Sequence, residues 1–116
     1  MDKDINWQER RAHPRIAWHF VVRFKSHQSS RWDFSTLKDL SLGGCYFISS
    51  KPFELGEILD LEIKIPSLNT SLGFTAEVRR CQGEKMGVNA IGVSFIQVDE
   101  SQKKALQQTV DFFLKK

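Results

Sequence analysis

The sequence predicts an all-β fold with one C-terminal helix, a six-stranded antiparallel β-barrel. Three observations lead there. Short segments alternate apolar and polar residues with a period of two, turn-forming residues separate them, and only the end of the chain changes to a helical period. Closing such strands into a barrel removes the exposed edges that six short strands would otherwise present. A chain of 116 residues suits one compact unit. Its expected parts are a flexible arginine-rich arm over residues 1–15, a barrel over 16–98 and an amphipathic helix over 99–116.

The arm is polar and charged, and Pro14 interrupts it. Ile16, Trp18, Phe20, Val22 and Phe24 then alternate with Ala17, His19, Val21 and Arg23, which predicts one half-buried strand. Residues 26–31 have turn composition and close a hairpin onto a second strand running from Trp32 to Leu40. Gly43-Gly44 ends that strand, and a short third strand covers Cys45 to Ile48. Leu59, Leu61, Ile63 and Ile65 alternate with Asp60, Glu62 and Lys64 up to Pro66. Leu72, Phe74, Ala76 and Val78 mark the fifth strand, and Ile91, Val93 and Phe95 the sixth, with a turn over 83–87 between them. The aromatic residues of the strands are expected on the apolar, inward face. Asp99 with Gln102 three residues on reads as a capping box, and Leu106, Val110 and Phe113 form one helical face.

Seventeen Lys plus Arg against fourteen Asp plus Glu leave a net charge of only +3, too mild for general nucleic-acid binding, and no DNA is expected. Three arginines, Arg10, Arg11 and Arg15, nevertheless crowd the arm. Cys45 and Cys81 lack paired spacing, which suggests a reducing compartment. Residues 1–7 carry no apolar run of the signal-peptide kind, and no stretch approaches the ~20 apolar residues of a membrane span. A cytoplasmic protein without membrane contact is expected.

Two stretches carry chemistry: Arg10-Arg11-Ala12-His13-Pro14-Arg15 and Asp39-Leu40-Ser41-Leu42-Gly43-Gly44. Guanidinium groups fork onto phosphate oxygens, stack on aromatic faces and pair with guanine O6 and N7. A carboxylate such as Asp39 accepts from the N1–H and amino group on guanine's other edge. Ser41, two residues on, shares Asp39's face of a strand. Gly44 allows close approach of backbone or ligand. Together these features describe a site for a guanine nucleotide.

The R-x-x-x-R element (Arg11, Arg15) followed by D-x-S-x-x-G (Asp39, Ser41, Gly44) resembles the PilZ domain, the bacterial receptor module for cyclic di-GMP. Ala76-Glu77-Val78 and Gly92-Val93-Ser94-Phe95 resemble that family's late strands. The resemblance runs from about Glu9 to the C-terminal helix. It implies a barrel that binds cyclic di-GMP on its outer surface, with the arm folding over the ligand. By that likeness Arg11 and Arg15 grip phosphates and guanine edges, Asp39 a Watson–Crick edge, and Ser41 a guanine or a phosphate. Arg10 resembles family members that hold an intercalated pair of ligand molecules. Arg80 stands where many relatives place a Trp that stacks on the ligand, and is a candidate secondary contact. The implied role is a receptor whose ordered arm changes its interaction with an unidentified downstream protein, with no cofactor beyond that ligand.

Other readings compete. The arginines alone suit a solvated basic arm, and Asp39 and Ser41 alone suit turn chemistry ahead of two glycines. His13, His19, His27, Cys45 and Cys81 show no metal-ligand spacing. There is no nucleophile elbow or Gly-rich oxyanion loop, so no hydrolase and no enzyme is expected. Trp7, Trp18 and Trp32 read as core or hairpin packing. A ligand-free adaptor on the same fold, and a small barrel for single-stranded nucleic acid, are the alternatives.

Overall fold

A computed structural model describes residues 15–16, 20–65 and 70–114. Seven strands appear in chain order: β1 (Arg15–Ile16), β2 (Val21–Ser26), β3 (Asp33–Ser41), β4 (Gly44–Ser49), β5 (Ile58–Ile65), β6 (Thr70–Gly83) and β7 (Asn89–Ile96). Helix α1 (Glu100–Leu114) follows. Every pairing is antiparallel. The order β3-β2-β5-β6-β7-β4 returns to β3, so six strands close into a barrel and short β1 adds to one side of β3.

The single strand expected from Ile16 to Phe24 is divided. Ile16 pairs with Leu40 and Val21 with Thr36, so the register against β3 differs by one residue between β1 and β2. One extra residue cannot stay in register, and the ladder breaks there. The Leu37 N–H donates to the Phe20 carbonyl at 2.7 Å across the break. The inward set Phe20, Val22 and Phe24 is buried as the period of two requires.

Alternation fills the interior. Phe24, Leu37, Leu40, Phe47, Leu59, Leu61, Ile63, Ile65 and Ile91 are essentially inaccessible. Each such side chain contributes roughly 1.5–3 kcal/mol by leaving water. Phe24 packs on Phe47 with ring centroids 4.6 Å apart, and Phe74 stacks on Phe95 at 4.3 Å. Helix α1 packs against β1, β3 and β6 and buries Leu106 and Val110. Its start is a reciprocal capping box: Gln102 N–H donates to Asp99 Oδ1 at 2.7 Å, and Asp99 N–H to Gln102 Oε1 at 2.8 Å.

The outer face of β2 and β5 carries a ladder of charge. Arg23 lies opposite Glu62 and Lys25 opposite Asp60, and the pairs close at 2.8 and 2.9 Å. Of the core or hairpin roles expected for it, Trp32 takes the hairpin one, half-buried beside β2. The Arg23 guanidinium sits over its ring at 4.2 Å, which uses the ring's negative face outside the barrel. Phe34 and Tyr46 also stand on outward strand positions, against the expectation that strand aromatics face inward. Phe34 falls one place from the inward residues of β3, and Tyr46 sits between buried Cys45 and Phe47.

Burial raises the Asp60 pKa, but hydrogen bonds and charge from His27 and Lys25 outweigh it and hold the carboxyl below its ordinary value. A depressed folded pKa gives stability that is present above the unfolded value, near 3.9, and is lost as pH falls through the lower folded one. Asp60→Asn is therefore expected to remove part of the stability loss between about pH 5 and 2. Urea unfolding of both proteins across that range checks it.

Candidate functional site

The site is built where β3 changes partner. Between Leu37 and Asp39 the β3–β4 register shifts, with Leu37 opposite Phe47 and Asp39 opposite Tyr46. This bulge puts two consecutive residues, Lys38 and Asp39, outside the barrel and returns Leu40 to the core. Asp39 and Ser41 consequently share the outer face, both half-buried, as their spacing predicts.

The register of β1 sets Arg15 opposite Ser41. The two charged and polar stretches, distant in sequence, thus meet across one strand pair. Arg10 and Arg11 lie outside the described residues. Ser41 Oγ accepts the Gly43 N–H at 3.2 Å and donates to the Gly44 carbonyl at 3.4 Å, so it also holds the β3–β4 turn.

Gly44 has a structural reason of its own. A Cβ there would meet the Val93 carbonyl oxygen at 2.0 Å. Its backbone approaches β7, opposite Ser94, where no side chain fits. Arg80 is exposed on β6 and lies opposite Gly92, directly after a second register shift between Val78 and Arg80. Gly92 in turn faces Tyr46, and Tyr46 faces Asp39.

An outward row therefore crosses four strands: Asp39, Tyr46, Gly92 and Arg80. Strands sit about 4.8 Å apart, so the row spans on the order of 14 Å. A Cβ at Gly92 would stand 3.4 Å from Arg80 Cβ and 3.9 Å from Tyr46 Cδ1, so glycine leaves a shallow gap between the ring and the arginine stem. Sequence reasoning missed Tyr46 as a surface residue of this row. The signal was present in its position between buried Cys45 and Phe47, two places past Gly44.

Two clefts, of about 290 and 100 Å³, lie beside Trp32 and Gln102 and beside Val21 and Phe34, and neither is lined by Asp39, Ser41, Gly44 or Arg80. Among the described residues, no group of His, Cys, Asp or Glu is placed to hold a metal ion, and no helix is long and apolar enough to cross a membrane.

A closed six-stranded antiparallel barrel with a capped C-terminal helix, with Asp39 and Ser41 on one outer face and Arg15 in register with Ser41, defines a class of protein. The PilZ domain profile matches residues 9–112, and the chain belongs to the PilZ domain family. No curated protein sequence is a significant match. Among solved structures, the PilZ domain of YcgR from Escherichia coli, determined with c-di-GMP, is similar at a TM-score of 0.69 and 20% identity, covering 91% of this chain and 92% of that one. The Bacillus subtilis inhibitor of motility (MotI/DgrA) aligns at 0.75 and 21% identity, over 92% of this chain and 53% of its own. The K. pneumonia MrkH–c-di-GMP complex aligns at 0.75 and 18% identity, over 91% and 53%. The chain thus spans about half the length of the last two and nearly all of the YcgR domain.

Gly44→Ala is expected to destabilise the fold by at least ~2 kcal/mol, since either β4 or β7 must move to admit the methyl group. Thermal unfolding of the variant measures this.

Proposed function

We propose that the chain is a bacterial cyclic di-GMP receptor that acts as an adaptor, without catalysis. The observation that carries this reading is the register of β1, which sets Arg15 opposite Ser41 with Asp39 two residues along the same face. Family membership and relatives solved with c-di-GMP support it.

In this reading Arg11 and Arg15 hold phosphates and guanine edges through charge-assisted hydrogen bonds. Asp39 accepts from a guanine Watson–Crick edge, and Ser41 contacts a guanine or a phosphate. Tyr46 and Arg80, on either side of Gly92, offer an aromatic ring and a planar cation on which a purine can stack. Arg10 adds a contact for a second, intercalated ligand molecule. Gly44 serves by keeping β4 against β7, so that the turn below Ser41 holds its shape.

Ligand binding orders the arm over β3 and changes the surface offered to a downstream protein in the cytoplasm. Such a switch works only through contacts that differ between the two arm states. Arg80 in place of a stacking Trp is the one feature that favours the second reading, a barrel that keeps the fold as an adaptor and takes no dinucleotide.

Isothermal titration with cyclic di-GMP, with GTP as the control, tests the proposal. Saturable heat with the cyclic dinucleotide alone supports it, a ratio near two supports the role of Arg10, and no heat favours the adaptor. Arg11→Ala or Arg15→Ala should each weaken binding by roughly 10- to 150-fold, the loss of about 1.5–3 kcal/mol per charged hydrogen bond. Their unfolding temperatures should stay unchanged. Tyr46→Ala should weaken binding by up to about tenfold, while Tyr46→Phe retains it.

A further inference from the structure

The outer wall centred on β2 and β5 has two halves of different character. On one half, Arg23 stands opposite Phe34 and Val21 opposite Thr36, with Lys25 and Trp32 close by. Phe34 is 70% exposed and Val21 is 51% exposed. On the other half, Glu62 lies opposite Gly73, Asp60 opposite Thr75 and Lys64 opposite Ser71. The Arg23–Glu62 and Lys25–Asp60 pairs join the halves across the β2–β5 boundary. One half is thus bulky and cationic, the other built of small residues and acidic at Asp60 and Glu62. Hollows accompany the bulk. A cleft of about 290 Å³ has Glu62, Gly73 and Thr75 in its lining, and one of about 100 Å³ has Val21, Phe34 and Ser71. Gly73 is exposed, and the nearest atom to a Cβ there would be the Leu61 carbonyl oxygen at 3.9 Å.

We infer that this wall docks a second copy of the chain, face to face, about a two-fold axis running along the boundary between β2 and β5. Such an axis lays each half of the wall over the other half of the second copy. Phe34 then reaches the hollow at Gly73 of the second copy, and Thr36 meets Ser71. Arg23 faces Glu62 and Lys25 faces Asp60, so each of these four charges has an opposite one beside it and another above it. An axis across the strands would instead set Arg23 on Arg23 and Glu62 on Glu62, and like charges reject that register. Three outward positions on each of four strands cover roughly 20 by 19 Å, about 400 Å². That is about half of the ~800 Å² per partner buried in a stable complex. The dimer is therefore weak, and its population follows protein concentration. Asp39, Ser41 and Gly44 are not among these residues, so the inference stands independently of the ligand reading.

Sedimentation velocity of the full chain without ligand, from about 10 µM to about 1 mM, tests it. A monomer–dimer equilibrium is expected, and Phe34→Asp should weaken it at least about tenfold. Arg23→Glu and Glu62→Arg each set like charges against one another, so each alone should sediment as a monomer. Mixed in equal amounts, the two variants should dimerise again, since each supplies the charge that the other has reversed. Thermal melts verify that the variants are folded. Should a charge variant unfold, Phe34→Asp, at an exposed position, decides the matter with the wild-type series. A monomer throughout the range overturns the inference. So does a dimer indifferent to Phe34→Asp, or a mixture of folded charge variants that stays monomeric.

Discussion

Closure of the barrel depends on one backbone contact, the approach of Gly44 to the Val93 carbonyl. Strand β4 must hydrogen-bond to β3 on one side and β7 on the other, and at Gly44 the space for a side chain is already filled by β7. If β4 could not come this close, the edges of β3 and β7 would carry unpaired N–H and C=O groups. The strand also supplies Cys45 and Phe47 to the core and Tyr46 to the outer face. Barrel integrity and the floor of the candidate site therefore share a single short element.

Two bulges shape the outer face of that closed barrel. One follows Leu37 on β3 and the other follows Val78 on β6, and each delivers a charged residue, Asp39 or Arg80, to the same outward row. Because an extra residue re-aims every side chain after it, the core phase and the surface phase are adjusted together. Leu40 stays buried while Asp39 and Ser41 face out. Gly92 keeps the middle of the row low, so an aromatic ring and a guanidinium stand beside one another across a gap.

The neighbouring wall is organised differently. On β2 and β5, Arg23 pairs with Glu62 and Lys25 with Asp60, which also hydrogen-bonds His27 in the turn after β2, and Trp32 is covered by Arg23. Exposed pairs of this kind add little stability, and their effect is to leave this wall with few free charges. Val21 and Phe34 interrupt the ladder with apolar surface. The two walls share β3.

Much of this was legible in the sequence because burial imposes a period. The strict alternation from Leu59 to Ile65, the capping box of Asp99 and Gln102, and the shared face of Asp39 and Ser41 follow from local geometry and hold in the fold. So does the family likeness, since its motifs are short and lie on single elements. What the alternation could not convey was where a strand changes partner. The one-residue difference in register between the β1–β3 and β2–β3 pairings is a property of two segments paired and of neither alone. For the same reason Phe34 and Tyr46 read as core from hydrophobicity yet lie outside, since a bulge or a one-place offset decides the face. The sequence by itself determined the strands, the helix and the residue types of the site. Only the tertiary structure decided that Arg15 faces Ser41 and that Asp39, Tyr46, Gly92 and Arg80 form one row, because cross-strand register is set by barrel closure between segments far apart in the chain.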